Sequence, residues 1–239
     1  MSIIDKLFGD DDKPRDTPAK ADGPMQKVLD ELASLGGKPI ETLSPEEARQ
    51  QPTPTDAVKS LLRKDGKDPS DDMGVKTSDI TIPGAAGPIQ ARIYKPHDHS
   101  EDKLHPVVVY FHGGGFVIAD LDVYDGGPRG VSKMADVIVV SVHYRQAPEH
   151  HFPAAHDDAL AAYRWVLENA QTFRGDPQKV AVMGESAGGN LAIGVSMMAR
   201  DAGLAAPKHQ VLVYPVAGVD MDNELSLIHI SEPTRPLYI

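Results

Sequence analysis

Residues 180–191 read Val-Ala-Val-Met-Gly-Glu-Ser-Ala-Gly-Gly-Asn-Leu. The apolar start has the length and character of a buried strand, and the small and apolar residues after it continue as a helix. A strand that becomes a helix within a few residues forces the corner residue into a cramped backbone conformation. Small neighbours, here Gly184 and Gly188 of a Gly-x-Ser-x-Gly pattern, let the chain pass, and the corner side chain is thrust out at the strand's C-terminal edge. That side chain is the hydroxyl of Ser186. The helix behind it points free N–H groups and a positive dipole end at the same spot, which suits a developing oxyanion. An ordinary βα turn with an exposed serine fits the same five residues, so the pentapeptide alone leaves both readings open.

The other apolar runs build a sheet around this corner. Residues 79–82, a glycine-bounded turn at 84–87 and residues 89–94 predict a hairpin with alternating faces. A polar loop over 96–105 follows. Residues 106–111 and 137–142 are continuously apolar, as in strands covered on both faces. Helical patterns occupy 131–135, 154–170 and 191–202, and a last strand is expected at 210–214. A hairpin followed by alternating strands and helices makes an α/β chain with a mostly parallel, doubly covered sheet.

Helices come before any strand. Met25, Val28, Leu29, Leu32 and Leu35 recur at helical spacing and stop at Gly36 and Gly37. Ser44-Pro45-Glu46-Glu47 is an N-cap with proline at the first helical position, and a helix from there is interrupted by Pro52 and Pro54. Val58, Leu61 and Leu62 predict one more short piece. These helices are expected to be laid over the sheet as an appendage. Residues 9–23 are rich in Asp, Lys and Pro with little to bury, and the expectation is a disordered acidic arm over 1–23.

The charge balance narrows the partners. Net charge is −11, which opposes nucleic acid or an anionic membrane surface, since both need clustered positive charge. Without cysteine there is no disulfide, thiolate metal site or cysteine nucleophile. No apolar run reaches the length of a membrane span, and the first residues lack the basic-then-apolar order of a signal peptide, so the cytoplasm is the default. His97, His99 and His105 share the polar loop, and His150, His151 and His156 share a turn. The first group fits the spacing of no metal-site class well and reads as a solvated loop, and the second belongs to its turn and needs no metal.

His112-Gly113-Gly114-Gly115-Phe116 follows the strand ending at Phe111. Its glycines leave N–H groups unshielded and let main chain approach a ligand, as a loop donating to an oxyanion does. The rival, a phosphate cradle, lacks the Gly-x-Gly-x-x-Gly and Walker patterns. His112 reads as a brace for the loop rather than a general base. A third segment, YRQAPEHHFPAA at 144–155, is a turn stiffened by prolines in which Arg145 and Glu149 are placed to pair.

HGGGF, YRQAPEHHFPAA followed by Asp157 and Asp158, and GESAGGN stand in the order and spacing of the hormone-sensitive-lipase-like family of α/β-hydrolase esterases, which the chain resembles over about residues 24–216. The resemblance implies an α/β-hydrolase fold. It makes Ser186 the nucleophile, with the N–H groups of Gly114, Gly115 and Ala187 as the oxyanion hole. His112, Gly113, Gly184, Glu185, Gly188 and Gly189 support those motifs. Residues 24–70 would be the N-terminal part of a cap over a core at 71–224. The family hydrolyses carboxylic esters of short or medium acyl chains through an acyl-serine and needs no cofactor or metal. Its partner is a small-molecule ester, and oligomeric state is not implied. The acidic arm is outside the family pattern.

The same resemblance requires an acid and then a histidine after the nucleophile. Asp220 or Asp222 with His229 has the right order, yet the 43 residues from Ser186 to His229 do not hold two further βα units of about thirty residues each. Residues 225–236, Leu-Ser-Leu-Ile-His-Ile-Ser-Glu-Pro-Thr-Arg-Pro, resemble a translated sequencing adapter. The expectation is therefore that native sequence stops near Glu224, that 225–239 is a non-native tail, and that the fold is incomplete at its C-terminus. A divergent natural tail is the alternative. On this reading the triad Asp and His are absent, the chain as written is inactive, and the 210–214 strand is left as an apolar edge. A second reading of the function is a non-catalytic small-molecule binder, receptor-like or a pseudoenzyme, on the same fold.

Overall fold

The computed structural model describes residues 21–69, 72–97 and 102–218. The expected arm lies almost wholly outside these residues, and so do His99, Asp220, Asp222, His229 and the expected tail from Leu225.

Three helices come first: α1 (Gly23–Ser34), α2 (Pro45–Arg49) and α3 (Pro54–Lys64). Each N-terminus is capped by its own sequence. Asp22 accepts from the Met25 N–H, Ser44 and Glu47 form a capping box, and Thr53 and Asp56 form another. Pro54 thus does more than interrupt a helix. It occupies the first turn of α3, where a missing N–H costs nothing. Between α1 and α3 the buried Glu31 accepts from Ser60 Oγ at 2.6 Å and pairs with Lys64 Nζ. These bonds, Lys64 first, hold its carboxyl below the usual range.

The sheet contains β1 (Val75–Gly84), β2 (Gly87–Pro96), β3 (His105–Phe111), β4 (Ile138–His143), β5 (Gly175–Glu185) and β6 (Gln210–Val213). Their order is β1-β2-β4-β3-β5-β6. The β1–β2 hairpin is antiparallel, with Gly84 opposite Gly87, and docks antiparallel on β4. From β4 to β6 every neighbour is parallel. This is the mostly parallel sheet, opened by a hairpin, that the strand pattern predicts.

Covering helices are α4 (Gly126–Ala135), α5 (Ala154–Asn169) and α6 (Ala187–Asp201). Alternation in β3 divides the core. Val107, Val109 and Phe111 pack with Tyr163, Val166, Leu191 and Val195 of α5 and α6. Val108 and Tyr110 lie in a second cluster with Val131 of α4. Both faces are therefore buried, which explains the continuously apolar strands.

The 96–105 loop is shorter than its sequence suggests. His105 is the buried first residue of β3, and His97 pairs with Asp72 at 2.9 Å. At the far edge of the described sheet, Val211 and Leu212 of β6 are 45% and 37% exposed. Because β3, β4 and β5 run parallel, the segments after all three emerge along one edge, where open α/β sheets place ligands.

Candidate active site

Ser186 stands between the last residue of β5 and the first of α6, with φ 55° and ψ −115°. Such a conformation is strained for a residue with a side chain and persists only where its surroundings hold it. Three main-chain bonds do so. The Ser186 N–H donates to Val213 O at 3.0 Å, and its carbonyl accepts from Asn190 N and Val216 N, each at 3.1 Å.

The glycines around it are dictated by contact. A Cβ at Gly188 would lie 1.9 Å from the Phe111 carbonyl oxygen and 2.6 Å from that of His112, and one at Gly184 would lie 2.0 Å from Gly188 O. The start of α6 thus presses against the end of β3, where the glycine loop begins. On the other side of Ser186, a Cβ at Gly113 would lie 3.1 Å from Glu185 O and 2.5 Å from the Tyr124 hydroxyl, which itself donates to Glu185 at 3.2 Å. Gly189 abuts Pro215. Two main-chain approaches therefore bracket the serine.

Gly114 turns the loop at φ 110°, with its carbonyl accepting from Val117 N at 3.0 Å and Ile118 N at 2.9 Å. Among the described residues no group accepts from the N–H of Gly114, Gly115 or Ala187. Gly115 is exposed.

His112 is fully buried and stacks on Tyr144 with ring centroids 4.5 Å apart. Its Nδ1 lies 2.7 Å from Gly113 O, so Nδ1 carries the proton and donates, while Nε2 meets no polar partner. Burial pushes its pKa down to about 4. A neutral, buried ring bonded to the loop's own carbonyl is suited to bracing, and poorly placed to exchange protons with a substrate.

The 144–155 turn clamps the loop from outside. Tyr144 Oη donates to His112 O at 2.8 Å, Gln146 Nε2 donates to Ile118 O and Ala119 O at 2.9 Å each, and Ala147 N donates to Phe116 O at 2.9 Å. The expected Arg145–Glu149 pair does not form. Arg145 instead forks onto Asp158 at 2.7 and 3.0 Å, because Asp158 is fully buried on α5 and needs a cation. Glu149 pairs with Arg49 of α2 at 2.7 Å. That contact holds the Glu149 carboxyl down at about 2.

Asn190 ties α6 to its surroundings, donating to Val216 O at 2.7 Å and accepting from His156 Nε2 at 2.8 Å. No described histidine is hydrogen-bonded to the Ser186 hydroxyl. His209 precedes β6, and its carbonyl accepts from Val182 N. A small, shallow hollow includes Phe116 and His156 in its lining but not Ser186. Among the described residues there is no cluster of three metal-ligating side chains, and no helix is long and apolar enough to cross a membrane.

Sequence reasoning missed Arg49, Tyr124 and the His156–Asn190 bond. Arg49 ends a five-residue helix, and nothing within that helix signals a partner 100 residues away. Only the N-cap at Ser44, which fixes where α2 begins, was readable.

A sequence-family model described as the alpha/beta hydrolase fold matches residues 108–235. Esterase LipI of Mycobacterium tuberculosis (strain ATCC 25618 / H37Rv) is 49% identical over 141 residues, covering 59% of this chain and 44% of the relative. Ethyl acetate hydrolase of Pseudomonas putida is 37% identical over 192 residues, covering 79% and 58%. A hyperthermophilic esterase from the archaeon Pyrobaculum calidifontis superposes with a TM-score of 0.67 at 38% identity, over 84% of this chain and 60% of that one. The chain spans about half the length of the curated relatives it matches.

Proposed function

The chain belongs to the α/β-hydrolase fold family, and from that premise we propose that it carries the nucleophile half of a carboxylic ester hydrolase, with Ser186 as the attacking group. The observation that carries the proposal is the bracketed corner. A strained serine stands at the C-terminal edge of the sheet, its helix packed on the start of a glycine loop whose N–H groups at Gly114 and Gly115 have no acceptor among the described residues. The names of the relatives, esterase and ethyl acetate hydrolase, support the substrate class.

In the proposed reaction Ser186 Oγ attacks the ester carbonyl carbon and gives its proton to a base. The carbonyl oxygen becomes an oxyanion, held by the N–H groups of Gly114, Gly115 and Ala187. One such donor is worth about 3–4 kcal/mol of barrier. Collapse breaks the ester C–O bond and the alcohol leaves with the proton. Water then attacks the acyl-serine by the same route and releases the acid. The other motif residues hold this arrangement. His112 and Gly113 set the loop, Gly184, Gly188 and Gly189 admit the tight corner, and Glu185 anchors Tyr124. The acid and base are assigned outside the described residues, since no described histidine reaches the serine.

The proposal treats α1–α3 as part of a cap over the core. A short or medium-chain ester is the partner and no cofactor is used. The net charge of −11 favours a small molecule over nucleic acid, and the cytoplasm is the proposed location.

The test is hydrolysis of a short-chain nitrophenyl ester by the 239-residue chain and by a protein carrying it together with the remaining length found in the relatives. Turnover is expected in the longer protein and is abolished by Ser186→Ala, while the 239-residue chain retains only slow residual hydrolysis. Unchanged turnover in the longer Ser186→Ala protein contradicts the proposal.

A further inference from the structure

We propose that Arg49 is a positioning residue. Its guanidinium, reaching in from α2, fixes the shape of the glycine loop in which the Gly114 and Gly115 N–H groups have no acceptor among the described residues. The geometric part stands by itself, and the catalytic consequence rests on the hydrolase reading.

One side chain makes four hydrogen bonds here. Arg49 Nε donates to Val117 O at 2.7 Å, Nη2 donates to Ala147 O at 2.8 Å, and Nη1 and Nη2 fork onto the two carboxylate oxygens of Glu149 at 2.7 Å each. Together with the turn, Arg49 completes a pattern along the loop. The carbonyls of Phe116, Val117, Ile118 and Ala119 accept in succession from Ala147 N, Arg49 Nε and Gln146 Nε2, the last serving two of them. Four consecutive carbonyls are thus held by Arg49 and the 144–155 turn.

Peptide planes are rigid, so fixing those carbonyls fixes the direction of the N–H groups between them. Val117 N and Ile118 N are then aimed at the Gly114 carbonyl, which sets the turn at φ 110°. Glycine-rich backbone has no such preference of its own. Without Arg49, Val117 O loses its protein partner and the turn is free to open. Arginine is required rather than any cation, because three separate acceptors are met by a planar fork that a lysine ammonium cannot reproduce. The bonds also join the N-terminal helices to the loop. Thr55 of α3 adds a second tie, donating to Val123 O at 2.7 Å.

The experiment is amide hydrogen exchange on the full chain, comparing wild type with Arg49→Ala, Arg49→Lys and Glu149→Gln. In both Arg49 variants the amides of Val117, Ile118 and Ala147 are expected to exchange about tenfold faster or more, while Val109 and Val182 in the sheet keep their protection. Glu149→Gln keeps both carbonyl bonds and gives a smaller change. Equal protection of the three amides in wild type and Arg49→Ala overturns the proposal. Wild-type protection in Arg49→Lys overturns it as well, because charge alone would then suffice. In the longer, hydrolytically competent protein, Arg49→Lys lowers kcat for a nitrophenyl ester and leaves KM near its wild-type value. Faster exchange with an unchanged kcat removes the catalytic role. Absence of any Ser186-dependent hydrolysis sinks the hydrolase reading, while the exchange data still decide the loop's dependence on Arg49.

Discussion

Replacing His112 with asparagine is expected to flatten the pH dependence of stability between about pH 4 and pH 6.5. The ring is fully buried, its Nδ1 donates to Gly113 O, and burial lowers its pKa from 6.5 to about 4. As pH falls through 6.5 the unfolded chain takes up a proton that the folded one refuses. Stability is therefore lost on the way down, until the folded ring also protonates near pH 4. A pKa gap of about 2.5 at about 1.36 kcal/mol each gives about 3 kcal/mol over the window, with about 2 kcal/mol gone by pH 5. Asparagine keeps an N–H for the Gly113 carbonyl and does not titrate. His143, stacked 5.8 Å away and also lowered by burial, contributes a slope of the same sign that survives the substitution. Urea unfolding followed by Trp165 fluorescence at pH 7, 6 and 5 measures the difference. Wild type should lose about 2 kcal/mol more than His112→Asn between pH 7 and pH 5. Equal losses would refute the reasoning, since the ring would then not be held neutral by burial.

Four further outcomes follow from the geometry. Gly188→Ala sets a methyl 1.9 Å from the Phe111 carbonyl and should destabilise the protein by about 3 kcal/mol, whereas Gly115→Ala meets no atom and should cost only about 1 kcal/mol for its positive φ; thermal denaturation compares the two. Arg145→Ala strands the buried Asp158 carboxylate and should cost about 3–5 kcal/mol in urea unfolding, and a loss near zero would show that the pair carries no weight. Glu149, held at about 2 chiefly by Arg49, contributes stability above its ordinary 4.5 that disappears as pH falls toward 2; a carboxyl NMR titration should find it raised toward 4.5 in Arg49→Ala, and an unmoved titration would contradict the pairing. Val211→Lys on the exposed edge of β6 should reduce self-association in light scattering, and unchanged scattering would argue that this edge is not the sticky surface.

Much of the fold could be read along the chain because its signals are local. Doubly buried strands declare themselves as unbroken apolar runs at 106–111 and 137–142, and the hairpin turn by its flanking glycines. The corner at Ser186 was legible because its steric demand can be met only by glycine, and a missing Cβ is visible in a sequence. Pairings across the fold were not. Arg145 and Glu149, four apart, invited each other on paper, but a buried Asp158 and a distant Arg49 took them instead. Burial decided that contest, and burial at Asp158 depends on how α5 lies against the sheet. His105 illustrates the same limit, since polar neighbours disguised the first residue of a buried strand.

The most direct test of the central claim is capture of the acyl-enzyme. The protein at the relatives' full length is exposed briefly to p-nitrophenyl acetate, quenched in acid and mapped by peptide mass spectrometry. The account predicts an acetyl ester on Ser186, absent in Ser186→Ala, appearing with a burst of nitrophenol. Sustained hydrolysis with no adduct on Ser186, or with the acetyl group on another residue, contradicts it.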